Sequence, residues 1–216
     1  MKRLTILKKL LDCGVIAVVR GDNPQEVLES CYACVKGGLY GLEVTFTING
    51  ASDIISDLAE KYKEDENVVI GAGTVLDPIT ARIAILSGAE FVVSPSFDKE
   101  TAKICNLYQI PYLPGCMTIT EMATALEYGV DIIKLFPGSA FGPSFIKSVK
   151  APLPQANIMP TGGVSIDNME QWFKNGAVAV GVGGNLFAPA KTGDFEKVAQ
   201  NAKEYVDRFK ATCKNL

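Results

Sequence analysis

Short apolar, β-branched runs alternate with longer segments of helical character along the whole chain. Eight runs read as strands: VIAVVR (15–20), GLEVTF (41–46), VVIGAG (68–73), FVVSPS (91–96), PYLPG (111–115), DIIKLF (131–136), NIMPTGG (157–163) and AVAVGVGG (177–184). The segments between them carry helix punctuation. NPQEVLESCYACVKGG opens on Asn23-Pro24 and ends in glycine, DPITARIAILSGAE opens on Asp77-Pro78, and SIDNMEQWFKNGA opens on Ser165 and ends in Asn175-Gly176. Spread over 216 residues, eight strands give 27 residues per unit, room for one strand, one helix and two loops. Strand and helix alternating this way predict a parallel sheet, most simply a single (β/α)8 TIM barrel, an α/β fold, with a doubly wound sheet as the competitor. MKRLTILKKLLD mixes charge with leucine and isoleucine and reads as an N-terminal amphipathic helix. No linker or low-complexity stretch divides the chain, so residues 1–216 are expected to form one domain.

Composition narrows the function. Hydrophobic residues make up 48% and charged residues 21%, the balance of a globular chain, and the net charge of −3 comes without a basic run. No nucleic-acid partner is expected. No apolar stretch approaches the ~20 residues of a membrane span, and the N-terminus lacks a signal-peptide core. The reading is a cytoplasmic protein without a membrane partner. Six cysteines need no disulfides in that compartment, and the one CxxC, Cys31 and Cys34, sits inside a predicted helix rather than at the start of one. It reads as helix packing, and no second pair stands at zinc-site spacing. The chain has no histidine. That excludes Ser-His-Asp and Cys-His catalysis and HExxH metal sites, and it makes metal-dependent aldolase chemistry through histidine ligands improbable. No metal and no cofactor are expected.

Within the barrel reading, active sites lie at the C-terminal ends of the strands. The polar residues at those ends are Arg20; Glu43, Thr45 and Thr47; Thr74; Ser94 and Ser96; Lys134; Thr161; and Asn185. Strand periodicity puts Glu43, Thr45 and Thr47 on one face, opposite Leu42, Val44 and Phe46, and it groups Ile132, Lys134 and Phe136 against Ile133 and Leu135. A lysine inside an apolar strand is costly unless paired or neutral. Apolar surroundings favour the neutral amine, which is the form that attacks a keto group to give a Schiff base. Glu43 could then carry protons, and Thr45 or Thr74 could hold water or a keto acid. Two Gly-Gly pairs close the last two strands, in PTGGVS (160–165) and GVGGNLF (181–187). Glycine lets backbone N–H groups approach an anion, and following helix starts would add positive charge, so these loops predict a phosphate site. GAGTV (71–75) lacks the third glycine of a dinucleotide fingerprint.

Taken together, VIAVVRG, GGLYGLEVTFT, GAGTVLDP, FVVSPSF, YLPGCMTITEM, KLFPGSAFGPSFIK, MPTGGVS and GVGGNLF cover nearly the whole chain. In these stretches it resembles the 2-keto-3-deoxy-6-phosphogluconate (KDPG) / 4-hydroxy-2-oxoglutarate (KHG) aldolase family of class I Schiff-base aldolases. The resemblance implies reversible cleavage of KDPG to pyruvate and glyceraldehyde 3-phosphate, and of KHG to pyruvate and glyoxylate. It makes Lys134 the Schiff-base lysine and Glu43 the general acid/base. It implies that Thr74 helps bind the pyruvate half, that Thr161 sets stereochemical preference, and that Gly162, Gly163 and Gly184 hold the phosphate. It further implies a homotrimer acting on a small 2-keto acid and a phosphorylated aldehyde. Two positions depart from the commoner pattern. Thr47 stands where many members carry the arginine that grips the keto-acid carboxylate, which makes Arg20 the substitute. Asn185 stands where many carry serine. An aldolase for an epimeric substrate such as 2-keto-3-deoxy-6-phosphogalactonate is the alternative, and a non-catalytic barrel binding a phosphorylated metabolite is the reading outside enzymes.

Overall fold

The computed structural model describes residues 1–214, so the last two residues of the expected 1–216 domain lie outside the described residues. Helix α1 (Lys2–Cys13) precedes β1 (Val15–Val19), followed by α2 (Pro24–Lys36), β2 (Gly41–Thr45), α3 (Ala51–Lys61) and β3 (Val69–Gly73). Then come α4 (Pro78–Leu86), β4 (Phe91–Ser94), α5 (Lys99–Leu107), β5 (Tyr112–Cys116), α6 (Ile119–Glu127) and β6 (Ile133–Leu135). The chain finishes with α7 (Phe145–Lys150), β7 (Ile158–Pro160), α8 (Met169–Lys174), β8 (Val180–Val182), α9 (Gly184–Phe187) and α10 (Phe195–Cys213). All eight predicted strands are present, with ends trimmed to where the backbone leaves the ladder.

The strands are parallel and lie in the order β7-β6-β5-β4-β3-β2-β1-β8. Bridges Ile158↔Ala177 and Thr161↔Gly181 bring β7 to β8 and close the ring. A doubly wound sheet would reverse its strand order at a switch point. This order runs on without reversal, so the fold is the (β/α)8 barrel.

Helix starts follow from local chemistry. Asn23 accepts from the Gln25 N–H at 2.9 Å with Pro24 in the first turn of α2, and Asp77 accepts from the Thr80 N–H at 2.8 Å at the start of α4. Thr118 and Glu121 form a reciprocal capping box on α6. One start differs from expectation. Ser165 does not open a helix; its N–H donates to Asn168 Oδ1 at 2.9 Å, and this side-chain-closed turn delays α8 to Met169. Cys31 and Cys34 are fully buried in α2, and burial pushes the Cys31 thiol up to about 12, in keeping with packing rather than redox chemistry.

Register decides what faces the barrel interior. Paired residues on parallel strands share a face, as do residues two apart on one strand. Val18 pairs Glu43, Glu43 pairs Gly71, Gly71 pairs Phe91, and Val93 pairs Leu113. Gly115 pairs Lys134, Lys134 pairs Met159, and Thr161 pairs Gly181. The circuit closes through the pairing of Gly181 with Ile16. Glu43, Lys134 and Thr161 therefore all point inward. Large inward residues are accommodated by glycines beside them: a Cβ on Gly41 would meet Ile16 Cδ1 at 2.5 Å, and one on Gly71 would meet the Phe91 ring at 2.4 Å.

Candidate active site

The Lys134 ammonium lies 3.5 Å from Glu43 Oε1, although the two residues are 91 positions apart. Glu43 is fully buried and Lys134 is 3% exposed. Lys134 Nζ also lies 5.1 Å from the centre of the Phe136 ring. Removal from water pushes the Glu43 carboxyl above the ordinary glutamate range, while the Lys134 and Arg20 charges pull it back down. Its second oxygen, Oε2, has no hydrogen-bond partner within the protein. A buried pair at this distance is poor evidence for stability, because desolvation offsets the attraction. It is better evidence for a site, since each group is poised to exchange a proton with something placed between or above them.

Over the C-terminal ends of β1, β6, β7 and β8 opens a cavity of about 720 Å³; Lys134 and Glu43 are not in its lining, but Phe136, two residues on from Lys134, and Val18, the register partner of Glu43, are. Its lining includes Arg20, Phe136, Thr161, Gly162, Gly163 and Gly184. Thr161 is 6% exposed, and its hydroxyl, aimed among these groups, has no partner. Arg20 is exposed at the rim, and among the described residues its guanidinium makes no hydrogen bond or ion pair. Gly162 and Gly163 take φ of 86° and 77°, left-handed conformations that turn the backbone of the β7 loop along the cavity wall.

Other expected site residues sit differently. Thr47 lies beyond β2, in an exposed turn outside the cavity lining, with its hydroxyl 2.9 Å from that of Thr45. The shared face of Glu43 and Thr45 ends there because the strand ends at Thr45. Thr45 is buried and donates to the Val19 carbonyl at 3.0 Å, so its hydroxyl ties β2 to β1. Thr74, just past β3, is half-buried and has φ of 56°, a strained conformation for a β-branched residue. Asn185 is exposed and outside the cavity lining. The expected helix starts behind the glycine pairs are also weaker than anticipated. Gly162-Gly163 leads into bends and a turn before α8, and Gly184 opens a helix of four residues. Backbone N–H groups, more than helix dipoles, are what these loops offer an anion. Lys191, in the short 3-10 turn after α9, also lines the cavity. Nothing at the sequence level marks it, since it follows no strand directly. Among the described residues no group of three or more His, Cys, Asp or Glu side chains could hold a metal ion.

A barrel with an amine and a carboxylate buried together in its interior, near a cavity at the C-terminal strand ends, is a scaffold for covalent chemistry on a carbonyl compound. The chain belongs to the KDPG and KHG aldolase family, whose model matches residues 6–201. It is 33% identical to the 2-dehydro-3-deoxy-6-phosphogalactonate aldolase of Escherichia coli K12 over 91% of this chain and 94% of the relative. It is also 33% identical to a 2-dehydro-3-deoxy-phosphogluconate aldolase of Treponema pallidum over 90% of this chain and 93% of the relative. Among solved structures, the KDPG aldolase of Legionella pneumophila, with pyruvate captured as a covalent carbinolamine, superposes with a TM-score of 0.82 at 25% identity, covering 94% of this chain and 97% of that one. Among the described residues no helix is long and apolar enough to cross a membrane.

Proposed function

We propose that this protein is a class I aldolase that cleaves KDPG reversibly to pyruvate and glyceraldehyde 3-phosphate in the cytoplasm, and KHG to pyruvate and glyoxylate. The observation that carries the reading is the 3.5 Å approach of Lys134 to Glu43 in the barrel interior. Neutral Lys134 adds to the keto carbon, and the protonated Glu43 carboxyl gives its proton to the departing carbinolamine hydroxyl, which leaves as water. The resulting iminium is the electron sink. Glu43, now a carboxylate, takes the proton of the hydroxyl on C4, the C3–C4 bond breaks, and its electron pair moves into the iminium to give an enamine. Protonation of C3 and hydrolysis then release pyruvate and free the lysine. Arg20 holds the keto-acid carboxylate, Thr74 and Thr161 orient the substrate, and the backbone of Gly162, Gly163 and Gly184 receives the phosphate, with Asn185 at its outer edge.

The relatives also favour a second reading of substrate preference. The chain is as similar to a 2-dehydro-3-deoxy-6-phosphogalactonate aldolase as to a 2-dehydro-3-deoxy-phosphogluconate aldolase, 33% identical in each case. This makes 2-keto-3-deoxy-6-phosphogalactonate, the substrate class named for the E. coli relative, the second candidate substrate. Measuring pyruvate release from KDPG, its C4 epimer and KHG tests both readings. The highest kcat/KM should fall on one of the two phosphorylated sugar acids, and absence of pyruvate from all three would leave only the non-catalytic binding reading. In the same panel, Arg20→Met should raise KM at least about tenfold through loss of a charge-assisted pair, while Thr47→Val should change it little.

The assembly implied by the family is a homotrimer. In support, α4 and the segments beside it present an uncovered apolar face: Ile79 is 72% exposed, Leu86 69%, and Leu107 on α5 71%. Light scattering on the wild-type protein should give three times the chain mass, and Ile79→Asp/Leu86→Asp should shift it to smaller species. A wild-type monomer would reject the trimer.

A further inference from the structure

Gly73 ends β3, in register with Thr45 and two residues from the partner of Glu43. A Cβ placed on it would lie 2.2 Å from Glu43 Oε1, 2.6 Å from Cγ and 2.8 Å from Cδ. Oε1 is the same oxygen that meets Lys134 Nζ at 3.5 Å. The carboxylate has little room to retreat. It is fully buried, and the volume over the neighbouring Gly71 is already filled by the Phe91 ring, 2.4 Å from where a Cβ there would stand. The two glycines of this strand thus serve different neighbours, Gly71 a packing ring and Gly73 a charged group.

We infer that Gly73 is a positioning residue for the aldolase reaction: its bare Cα sets where the Glu43 carboxylate sits against Lys134. The inference rests on the proposed role of Glu43 as the proton carrier. A methyl group at position 73 must displace Oε1, and Cγ and Cδ with it, from the atoms they serve. Proton transfer is sensitive to such shifts; a displacement of about 1 Å can cost ~100-fold in rate. Schiff-base formation at Lys134 depends on the amine itself and tolerates the shift better.

The test compares wild type, Gly73→Ala, Glu43→Asp and Gly73→Ala/Glu43→Asp. Each is measured for kcat, KM, the pH profile of kcat, thermal melting and borohydride trapping of pyruvate on Lys134. Gly73→Ala should lower kcat about 100-fold, change KM less than about threefold and still trap pyruvate. The acidic limb of its pH profile should move upward, because the displaced carboxylate loses part of the Lys134 charge that favours ionisation. Aspartate removes the closest approach, that of Oε1, while keeping Cγ, so the added methyl should cost Glu43→Asp at least about tenfold less than it costs wild type, a coupling that independent sites would not show. A Gly73→Ala enzyme within about twofold of wild type in kcat, or a methyl that costs Glu43→Asp as much as it costs wild type, overturns the inference. If Gly73→Ala does not fold, the double variant decides. Folded and within about tenfold of Glu43→Asp, it upholds the clash with Glu43; unfolded, or about 100-fold slower than Glu43→Asp, it removes it. Failure of the wild type to trap pyruvate on Lys134 would refute the aldolase reading itself, whereas trapping with an indifferent Gly73→Ala refutes only the role of Gly73.

Discussion

Lys134→Met should abolish turnover and the borohydride-trapped pyruvate adduct together, with kcat falling at least about 10⁴-fold. Methionine suits the experiment because it fills much of the same volume without an amine, on an inner face shared with Met159 and the Phe136 ring. Glu43 then loses its charged partner. Burial already pushes that carboxyl upward, and without Lys134 it can become neutral by keeping its proton instead of standing as an uncompensated buried charge. The fold should therefore survive, as a cooperative melt would show. Mass spectrometry of the trapped wild type should find one adduct per chain on the peptide containing Lys134. An adduct of equal yield in the variant would place the reactive amine elsewhere and reject the Schiff-base assignment.

The lysine could be singled out from sequence because its neighbours are wrong for it. An ammonium between Ile132, Ile133, Leu135 and Phe136 poses an energetic problem that only function or pairing resolves. Glu43 was visible by strand parity alone, which correctly put it inside. What periodicity could not supply was the relation between the two. Their contact runs through the register of five strands, β2 to β6, a non-local quantity. The same limit hid Gly73, whose meaning depends on pairing with β2. Thr47 was extrapolated from the Glu43–Thr45 alternation one step past the point where the strand ends. Glycine pairs at strand ends predict helix starts behind them, but helix starts depend on local caps, and Asn168 holds α8 away from Gly163. Lys191 had no local pattern to mark it.

Glu43→Gln should separate the two halves of the proposed chemistry. Glutamine keeps the shape of the side chain, its length and its place beside Gly73, and removes the ability to move a proton. Lys134 should still form a trappable adduct with pyruvate, more slowly because the carbinolamine hydroxyl must leave without an internal acid. Cleavage needs a base for the C4 hydroxyl and loses it altogether, so kcat should fall about 10²–10⁴-fold, the usual range for a general acid/base. The sign of the pH dependence adds a second check. The cleavage step needs Glu43 ionised, and burial raises its pKa, so where cleavage limits turnover wild-type kcat should rise with pH through a limb lying above the ordinary glutamate range. In Glu43→Gln that limb should vanish, leaving the residual rate flat across the same interval. A variant with unchanged kcat, or one that keeps the acidic limb, would show that another group carries the proton. The half-buried Thr74 and the unpartnered Thr161 hydroxyl at the cavity are too weakly acidic to reproduce such a limb near the carboxylate range, so its persistence would point back to the carboxylates at the cavity rim, Asp22 and Glu26.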